Sequence, residues 1–348
     1  MTLLRINTDP AAFGTPTVFA GTPPPGWRWT PDALGAADYV VEAPDAVRAQ
    51  IAASLDAVHR NGLDLDTVEM EDLRLPGLAE VVPRLHDRLD GGPGFAILRG
   101  LALDTLPEDD AAIAAWGAAN YVGRPIRQGL KKDRRIFTVT NYKSGNDDPI
   151  RIGATSALSP PHTDNGCLEP RSPDYIVLAC YRQARQGGDS TLISAYALHA
   201  AFAARRPDLL PLLYQPYHFL PPKLHTWPAG PATIVKPIFA AEGDTLYVHY
   251  ARVMIEPGME LAGTPLTAAQ REALDLLDEL LVDPAIVFTC RMEAGDILFS
   301  NNRSMVHGRL AFEDDPERPR CLKRLWLWQR HRGAGGDPVS LDRREMVA

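Results

Sequence analysis

Residues 160–165, which read Pro-Pro-His-Thr-Asp-Asn, decide how the chain is interpreted. We predict that this segment is extended, and in a strand residues i and i+2 point to the same face. His162 and Asp164 would then be aimed at one point, where an imidazole and a carboxylate could bind a divalent metal. A hydrogen-bonded His–Asp pair at a strand end explains the triplet equally well, so the rest of the chain must decide.

The best candidate for a third metal ligand is His307. Residues 294–309 predict a Gly-Asp turn, an apolar strand, a polar corner and a second strand that carries this histidine. His249 is the chief alternative, but no glycine or anion-binding arginine accompanies it, and it fits a hydrogen-bonded core histidine better. Two histidines and one carboxylate are the facial triad of non-haem Fe(II) oxygenases, which leaves coordination positions open.

Composition excludes several classes of protein. The 348 residues are 45% hydrophobic and 23% charged, which is typical of a soluble globular protein. A net charge of -8 argues against general affinity for nucleic acid or anionic membranes. The four cysteines show no C-x-x-C spacing, so neither a zinc knot nor a disulfide framework is indicated. Without a long apolar segment, the expected location is the reducing cytoplasm.

Short β-branched and aromatic runs separated by Gly/Pro turns predict a mainly β fold with flanking helices, of the jelly-roll type. The predicted strands are residues 95–100, 135–142, 175–182, 191–195, 233–240, 245–250, 285–292, 296–301 and 321–329. The predicted helices begin near residue 43, with Asp45 as a candidate cap, and cover 78–89, 104–121, 197–214 and 267–282, the last capped by Thr267. We expect one domain over residues 1–348: an arm and buttressing helices (1–92), a jelly-roll core with helical insertions (93–332), and a flexible tail (333–348).

Two arginines follow His307 on the last predicted strand. Arg320 and Arg324 share one face of that strand with Leu322 and Trp326. A buried guanidinium needs a carboxylate, because burying an unpaired charge is costly. That carboxylate is either an internal Asp or Glu, in a structural salt bridge, or part of a bound ligand.

The ordered set of motifs resembles a known family. The set comprises residues 162–164 (His-Thr-Asp), 187–191 (Gly-Gly-Asp-Ser-Thr), 295–296 (Gly-Asp), 302–303 (Asn-Arg), 307–309 (His-Gly-Arg) and the Arg320/Arg324 pair. Together they resemble the Fe(II)/2-oxoglutarate dioxygenases of the taurine dioxygenase (TauD/TfdA) and clavaminate synthase type. The resemblance spans about residues 93–330 and implies a double-stranded β-helix. Residues 173–182 resemble the clavaminate synthase side, which acts on amino acids and natural-product intermediates.

The resemblance implies specific roles at matching positions. His162, Asp164 and His307 would be the catalytic Fe(II) ligands, and O2 would be the other co-substrate beside 2-oxoglutarate. Arg320 would pair with the distal carboxylate of 2-oxoglutarate and the Thr191 hydroxyl would support it. Arg324 is a second basic position near this grip, and which of the two arginines makes the main contact is left open. The remaining candidates, for contact with the substrate, are Asn165 and Arg309.

Halogenating relatives replace the carboxylate ligand with a small residue, so the presence of Asp164 favours hydroxylation of an unactivated C–H bond. The expected substrate is an amino-acid-like small molecule of specialised metabolism, with no nucleic acid or membrane partner. Desaturation and ring closure are alternatives within the family. A non-catalytic jelly-roll binding protein and a cupin-type metalloenzyme are alternatives outside it. Residues 143–160 and 221–236 are candidate substrate loops.

Overall fold

The computed structural model describes residues 9–13, 17–128, 134–142, 155–164, 172–220 and 232–329. The helices in these ranges are α1 (Ala36–Tyr39), α2 (Ala46–Arg60), α3 (Val82–His86), α4 (Glu108–Val122), α5 (Ala195–Arg205), α6 (Arg252–Leu261) and α7 (Ala268–Leu280). The strands are β1 (Val40–Glu42), β2 (Phe95–Arg99), β3 (Arg124–Ile126), β4 (Phe137–Val139), β5 (Ser159–His162), β6 (Tyr175–Arg182), β7 (Gln186–Gly187), β8 (Ser190–Ser194), β9 (Pro216–Phe219), β10 (Ile234–Pro237), β11 (Phe239–Glu242), β12 (Thr245–Val248), β13 (Phe288–Cys290), β14 (Ile297–Asn301), β15 (Met305–Arg309), β16 (Phe312–Glu313) and β17 (Cys321–Trp328). Short 3-10 turns cover Pro10–Phe13, Pro25–Trp27, Pro31–Ala33, Met70–Asp72, Pro76–Glu80, Leu103–Thr105 and Leu210–Tyr214, and a π-helical turn covers Asp87–Gly91.

Two sheets form the body of the fold. Within the described ranges, the larger sheet has seven strands in the order β1-β2-β14-β6-β17-β3, with β4 also paired to β17. The smaller sheet has four strands in the order β13-β8-β15-β5. The pairing within the smaller sheet is antiparallel throughout. This arrangement confirms the predicted mainly β fold, a double-stranded β-helix with flanking helices.

The larger sheet is buried on both faces. Phe95 and Ile97 of β2 lie in the apolar core shared with the smaller sheet. Ala96 and Leu98 lie in a second core, together with buried side chains of α2 and α4. This alternation is the two-residue period of a strand. The early helices therefore cover the outer face of the larger sheet, and its inner face is turned toward the smaller sheet.

The Gly-Asp turn before β14 anchors that strand. Gly295 has a φ of +91°, a region that favours glycine. The buried carboxylate of Asp296 accepts hydrogen bonds from Arg99, from Nε at 2.9 Å and from Nη2 at 2.8 Å. The motif therefore joins β14 to the end of β2 through a two-pronged ion pair, which is a structural role.

Two stretches differ from the sequence prediction. Residues 78–89 were expected to form one helix, but they divide among the Pro76–Glu80 turn, α3 and the π-helical turn. Pro83 lies in the first turn of α3, and because it has no N–H it starts a helix more readily than it continues one. The Asp45 carboxylate makes no capping bond to α2 and pairs with Arg48 instead.

Helix α6 was not predicted, because Pro257 and Gly258 lie in its interior. A Cβ on Gly258 would lie 2.3 Å from the carbonyl oxygen of His218, so close packing against β9 requires the glycine. Tertiary contacts outweigh intrinsic helix propensity here. By contrast, α7 begins as predicted, with the Thr267 hydroxyl accepting a bond from the Gln270 amide at 3.2 Å.

Cys180, Cys290 and Cys321 are buried free thiols. Burial raises the pKa of Cys180 and of Cys290 to about 12. None of the described helices is both long and apolar enough to cross a lipid bilayer. The predicted tail, residues 333–348, and Cys167 lie outside the described residues.

Candidate metal centre and basic pocket

Strands β5 and β15 bring His162 and His307 together. The two residues are directly paired in the antiparallel register, and their ring centroids lie 4.6 Å apart. Asp164 follows two residues after His162. Donor atoms of the three side chains all lie within 4.8 Å of one another, and they form the only such cluster of metal-binding groups found in the described ranges. The geometry of two nitrogens and one oxygen fits a facial metal triad.

The donor atoms face one another. Nε2 of His162 lies 3.5 Å from Oδ1 of Asp164, and Nε2 of His307 lies 3.9 Å from the same oxygen. On the other side of the ring, Nδ1 of His162 lies 2.8 Å from the carbonyl oxygen of Pro160. A carbonyl only accepts, so Nδ1 donates this bond, and Nε2 is the ring nitrogen that faces the cluster.

The electrostatics suit metal binding. Burial, with the charge of His162 adding to it, lowers the pKa of His307 to about 3. Burial alone would raise the pKa of Asp164, but Arg324 and the two imidazoles outweigh it and hold that pKa well below its usual range. At neutral pH the site therefore holds a neutral His307 and an ionised Asp164, the forms that bind metal.

The alternative ligand, His249, lies apart from this cluster. Its side chain is buried, and Nδ1 lies 3.2 Å from the carbonyl oxygen of Pro237. Burial and the nearby charge of Lys236 lower its pKa to about 3. His249 therefore matches the hydrogen-bonded core histidine considered in the sequence analysis.

Asn302 clamps the backbone of Asp164. Its Oδ1 accepts a hydrogen bond from the Asp164 amide at 2.9 Å, and its Nδ2 donates to the Asp164 carbonyl at 2.8 Å. The same Nδ2 also donates to the carbonyl of Pro173 at 3.0 Å. The corner between β14 and β15 thus fixes the chain on both sides of residues 165–171.

The outer oxygen of Asp164, Oδ2, is held by β17. It accepts a hydrogen bond from Nε1 of Trp326 at 2.7 Å, and Nη1 of Arg324 lies 3.3 Å away. The Arg324 guanidinium stacks between the rings of Phe137 and Trp326, at 5.1 and 4.9 Å. Its Nε donates to Oε1 of Gln128 at 3.1 Å. Arg324 therefore makes its contacts with Asp164 and the residues around it, on the side of the pocket where a metal would bind.

Arg320 lies deeper, immediately before β17, and is only 1% exposed. Its Nη2 donates to the Gly188 carbonyl at 3.2 Å and its Nε to Oε1 of Gln183 at 3.3 Å. Nη1 is buried and has no hydrogen-bond partner within the described part of the chain. Burial lowers the pKa of Arg320 to about 10. A buried cation with an unused donor fits an incoming carboxylate.

A second guanidinium lies beside the first. Arg309 and Arg320 both pack on the ring of Phe312, at 4.7 and 5.2 Å from its centroid. Burial and the charge of Arg320 lower the pKa of Arg309 to about 10, whereas Asp314 acts in the opposite direction. One Oδ of Asp314 accepts the Arg320 amide at 2.8 Å. Asp189 also acts on Arg320, but it is paired with Arg291 at 3.0 Å, so the pocket keeps an excess of positive charge.

Thr191 lies on β8, which pairs with β15, the strand that carries His307. It pairs with Gly308, where an added Cβ would lie 2.8 Å from the Thr191 hydroxyl oxygen. Gly187 and Gly188, in the preceding turn, have φ values of +70° and +77°. A Cβ on Gly188 would lie 3.0 Å from Nε of Arg320. The glycine turn is therefore what lets β8 approach the buried arginine.

Arg309 and Arg303 have hydrogen-bond partners within the protein. Arg309, for which the sequence allowed substrate contact, donates from Nη2 to the carbonyls of Thr155 (2.9 Å) and Ala157. Arg303, of the Asn-Arg motif, donates to the Asp90 carboxylate at 3.1 Å. Asn165 lies outside the described residues, as do residues 143–154 and 221–231 of the two candidate substrate loops.

Two supporting residues were not identified from the sequence. Trp326 was placed on the same strand face as Arg324, and that two-residue spacing was the available signal for a shared target. Asn302 was quoted only as part of a motif. Its bonds to the two sides of residues 165–171 join segments far apart in sequence, so no local pattern reveals them.

Residues 65–326 match the family described as "Taurine catabolism dioxygenase TauD, TfdA family". One relative is FR-33289 synthase of Streptomyces rubellomurinus (strain ATCC 31215), 25% identical over 296 residues, covering 83% of this chain and 84% of the relative.

Solved structures share the fold. An asparagine oxygenase in complex with Fe(II), 2S,3S-3-hydroxyasparagine and succinate superposes with a TM-score of 0.67 at 20% identity, covering 83% of this chain and 93% of that one. The non-haem iron oxygenase OrfP, in complex with Fe and alpha-ketoglutaric acid, gives a TM-score of 0.60 at 17% identity, with the same coverage of 83% and 93%.

Proposed function

The chain belongs to the TauD/TfdA dioxygenase family and is a 2-oxoglutarate-dependent non-haem iron dioxygenase, and we propose that it hydroxylates an amino acid or amino-acid-derived small molecule in specialised metabolism. The observation that carries the proposal is the cluster of His162, Asp164 and His307, with its donor atoms within 4.8 Å of one another. We assign these three residues as the Fe(II) ligands. The metal and co-substrate together supply the oxidant, with 2-oxoglutarate converted to succinate and CO2 as O2 is consumed.

We assign Arg320 as the main partner of the distal carboxylate of 2-oxoglutarate. Its buried Nη1 has no hydrogen-bond partner among the described residues, which supports this role over that of Arg324. Arg324 already contacts Asp164 and Gln128. The planar guanidinium fork matches a carboxylate and stays charged, which a lysine would do less well. Thr191, on the strand beside the Gly-Gly turn, is assigned as the hydroxyl that supports the same carboxylate.

The chain's own residues prepare the site before any ligand arrives. His162 is held with Nε2 inward by Pro160, and Asp164 is kept ionised by Arg324. The positive pocket around Arg320 and Arg309 attracts a dianionic co-substrate and orients it by its distal end. Bound by its distal carboxylate, 2-oxoglutarate would offer its 2-oxo and 1-carboxylate oxygens to a metal held by the triad.

The substrate class rests on relatives and not on a pocket contact. The asparagine oxygenase structure contains a hydroxylated amino acid, and a further OrfP structure contains (3S)-hydroxy-L-Arg. A Streptomyces relative is named FR-33289 synthase, which is consistent with a biosynthetic role. We place Arg309 beside the co-substrate carboxylate, because it packs on the same Phe312 ring as Arg320 and its Nη2 donates to the carbonyls of Thr155 and Ala157. Asn165 is left as the candidate for substrate contact.

Hydroxylation is preferred over halogenation because Asp164 fills the position that a halide would need. Desaturation and ring closure use the same site, and the product distinguishes them. Hydroxylation adds one oxygen atom to the substrate mass, whereas the other two reactions remove two hydrogen atoms.

The first test is anaerobic titration of the purified protein with Fe(II) and then 2-oxoglutarate. Chelation of iron by a 2-oxo acid gives a visible charge-transfer band, so the native protein should show one. His307→Ala should weaken or abolish the band. If Fe(II) is bound and no band forms, the co-substrate assignment fails, and the cupin-type alternative gains support.

The second test screens amino acids by succinate release and product mass. Stimulation of succinate formation by an amino acid, with a product heavier by one oxygen atom, would support the proposal. Asp164→Ala should abolish product formation. Hydroxylation retained by this variant would rule out the proposed triad.

A further inference from the structure

We propose that Trp326 is a positioning residue that restricts Asp164 to binding metal through one oxygen. The inference rests on the proposed role of Asp164 as an iron ligand. It concerns the indole group, which neither the family match nor the resemblance assigns to any task.

The two oxygens of Asp164 have different surroundings. Oδ1 faces both histidines, at 3.5 Å from Nε2 of His162 and 3.9 Å from Nε2 of His307. Oδ2 faces away and accepts the indole N–H of Trp326 at 2.7 Å. An indole Nε1–H only donates, so this bond takes up a lone pair on Oδ2 that would otherwise be available to metal.

Neighbouring strands and side chains fix the position of the Trp326 indole. Trp326 lies on β17, a strand paired with β6 on one side and with β3 on the other. Its ring lies 4.9 Å from the Arg324 guanidinium, which places a cation beside the same oxygen. Asn302 fixes the Asp164 backbone. The carboxylate is therefore anchored at its main chain and at Oδ2, and Oδ1 alone points at the cluster.

Binding through one oxygen has a chemical purpose. The facial triad leaves three positions on the metal, two for the 2-oxo acid and one for O2. A carboxylate that bound through both oxygens would occupy one of those positions. Partners in the outer shell of a metal ligand typically change affinity or activity about 10- to 100-fold when removed.

The test is metal binding by Trp326→Phe, which keeps an aromatic ring and removes the N–H. Co(II) titration followed by absorption is the readout, because it needs neither substrate nor turnover. We expect Co(II) affinity to fall about tenfold or more and the visible bands to weaken as a second carboxylate oxygen binds. Trp29→Phe is the matched control, since it removes an indole N–H that donates to the Pro93 carbonyl at 3.1 Å.

Each outcome is decisive. Unchanged Co(II) affinity and spectrum in folded Trp326→Phe would overturn the inference, and so would an equal loss in Trp29→Phe. If the native protein binds Co(II) no better than Asp164→Ala, the proposed metal site fails together with this inference. If no amino acid is hydroxylated but Trp326→Phe still shows the Co(II) defect, the substrate proposal fails and this inference stands.

A measurement on native protein covers the case in which the variant does not fold. In protein labelled with 15N at tryptophan, the indole N–H signal of Trp326 should shift when Zn(II) saturates the site, whereas that of Trp29 should not. A Trp326 signal that does not respond to Zn(II) would overturn the proposal.

Discussion

Arg309 and Arg320 share one aromatic ring: their guanidinium carbons lie 4.7 and 5.2 Å from the centroid of Phe312. Two buried cations this close repel each other, and burial lowers the pKa of each to about 10. Asp314 offsets part of the repulsion. A further carboxylate would offset more of it, which is the electrostatic reason to propose that this pocket binds one end of a dicarboxylic acid.

Arg320→Ala should weaken 2-oxoglutarate binding by at least about thirtyfold, because losing a buried charge partner costs about 2 kcal/mol or more. Co(II) affinity should change little, since Arg320 does not touch the triad. The charge-transfer band, titrated with 2-oxoglutarate, measures the first quantity. Arg185→Ala, which removes an exposed arginine paired with Glu313, should change neither, and an equal loss of both affinities in Arg320→Ala would refute the assignment.

Gly308→Ala should destabilise the protein by about 1–3 kcal/mol, as overpacking does. The new Cβ would lie 2.8 Å from the Thr191 hydroxyl oxygen and 2.9 Å from the Ser159 carbonyl oxygen. Relief of that contact would move β5 away from β15 and separate the two histidines, so Co(II) affinity should also fall. Urea unfolding and metal titration measure the two effects. Gly91→Ala, which would meet nothing within 4 Å, is the control.

Asn302→Asp keeps the shape of the side chain but replaces a donor with a carboxylate. Two carbonyl oxygens, those of Asp164 and Pro173, would lose their hydrogen bonds and face a negative group. We expect a loss of about 2 kcal/mol or more in the free energy of unfolding. The exposed residue Asn61, changed to Asp, should cost much less. Equal unfolding midpoints for the two variants would show that the clamp on Asp164 is unimportant.

Acid should destabilise the metal-free protein through His249. Its pKa is lowered to about 3 in the fold against about 6.5 when unfolded, so between these pH values unfolding takes up a proton. The free energy of unfolding is unaffected by this group above pH 6.5 and falls by about 1.4 kcal/mol per pH unit below it. His249→Gln should reduce that slope in urea unfolding with a chelator present. At pH 8 the His249 side chain is uncharged in both the folded and the unfolded protein, so the difference between native protein and variant there measures only the lost packing. An unchanged slope below pH 6.5 would contradict the prediction.

The sequence was informative where a local period determines geometry. The two-residue spacing of His162 and Asp164 in a predicted extended segment brought both side chains to one point on paper, but β5 ends at His162 and Asn302 fixes Asp164 beyond it. Strand β6, residues 175–182, was predicted to the residue, because apolar side chains on both faces of a buried strand give a continuous run.

The sequence was uninformative where packing overrides propensity. Helix α6 forms around Pro257 because β9 covers it, and residues 78–89 divide because Pro83 restarts the helix. The contact of Arg324 with Asp164 joins positions 160 residues apart, and nothing in the local pattern distinguishes this arginine from Arg320. Spacing placed both on one strand face, but only the folded chain shows what each one contacts.

The raised pKa values of the buried thiols affect where oxidative damage to the protein should occur. At neutral pH a thiol with a pKa of about 12, such as Cys180 or Cys290, is thiolate in only about one molecule in a hundred thousand, and thiolate is the form that peroxide oxidises. An iron enzyme that activates O2 without consuming its substrate exposes its own side chains to oxidant. These two thiols react slowly with peroxide, so damage caused by idle turnover should accumulate on the ring of Trp326, which donates to Asp164, and peptide mass mapping would find it there.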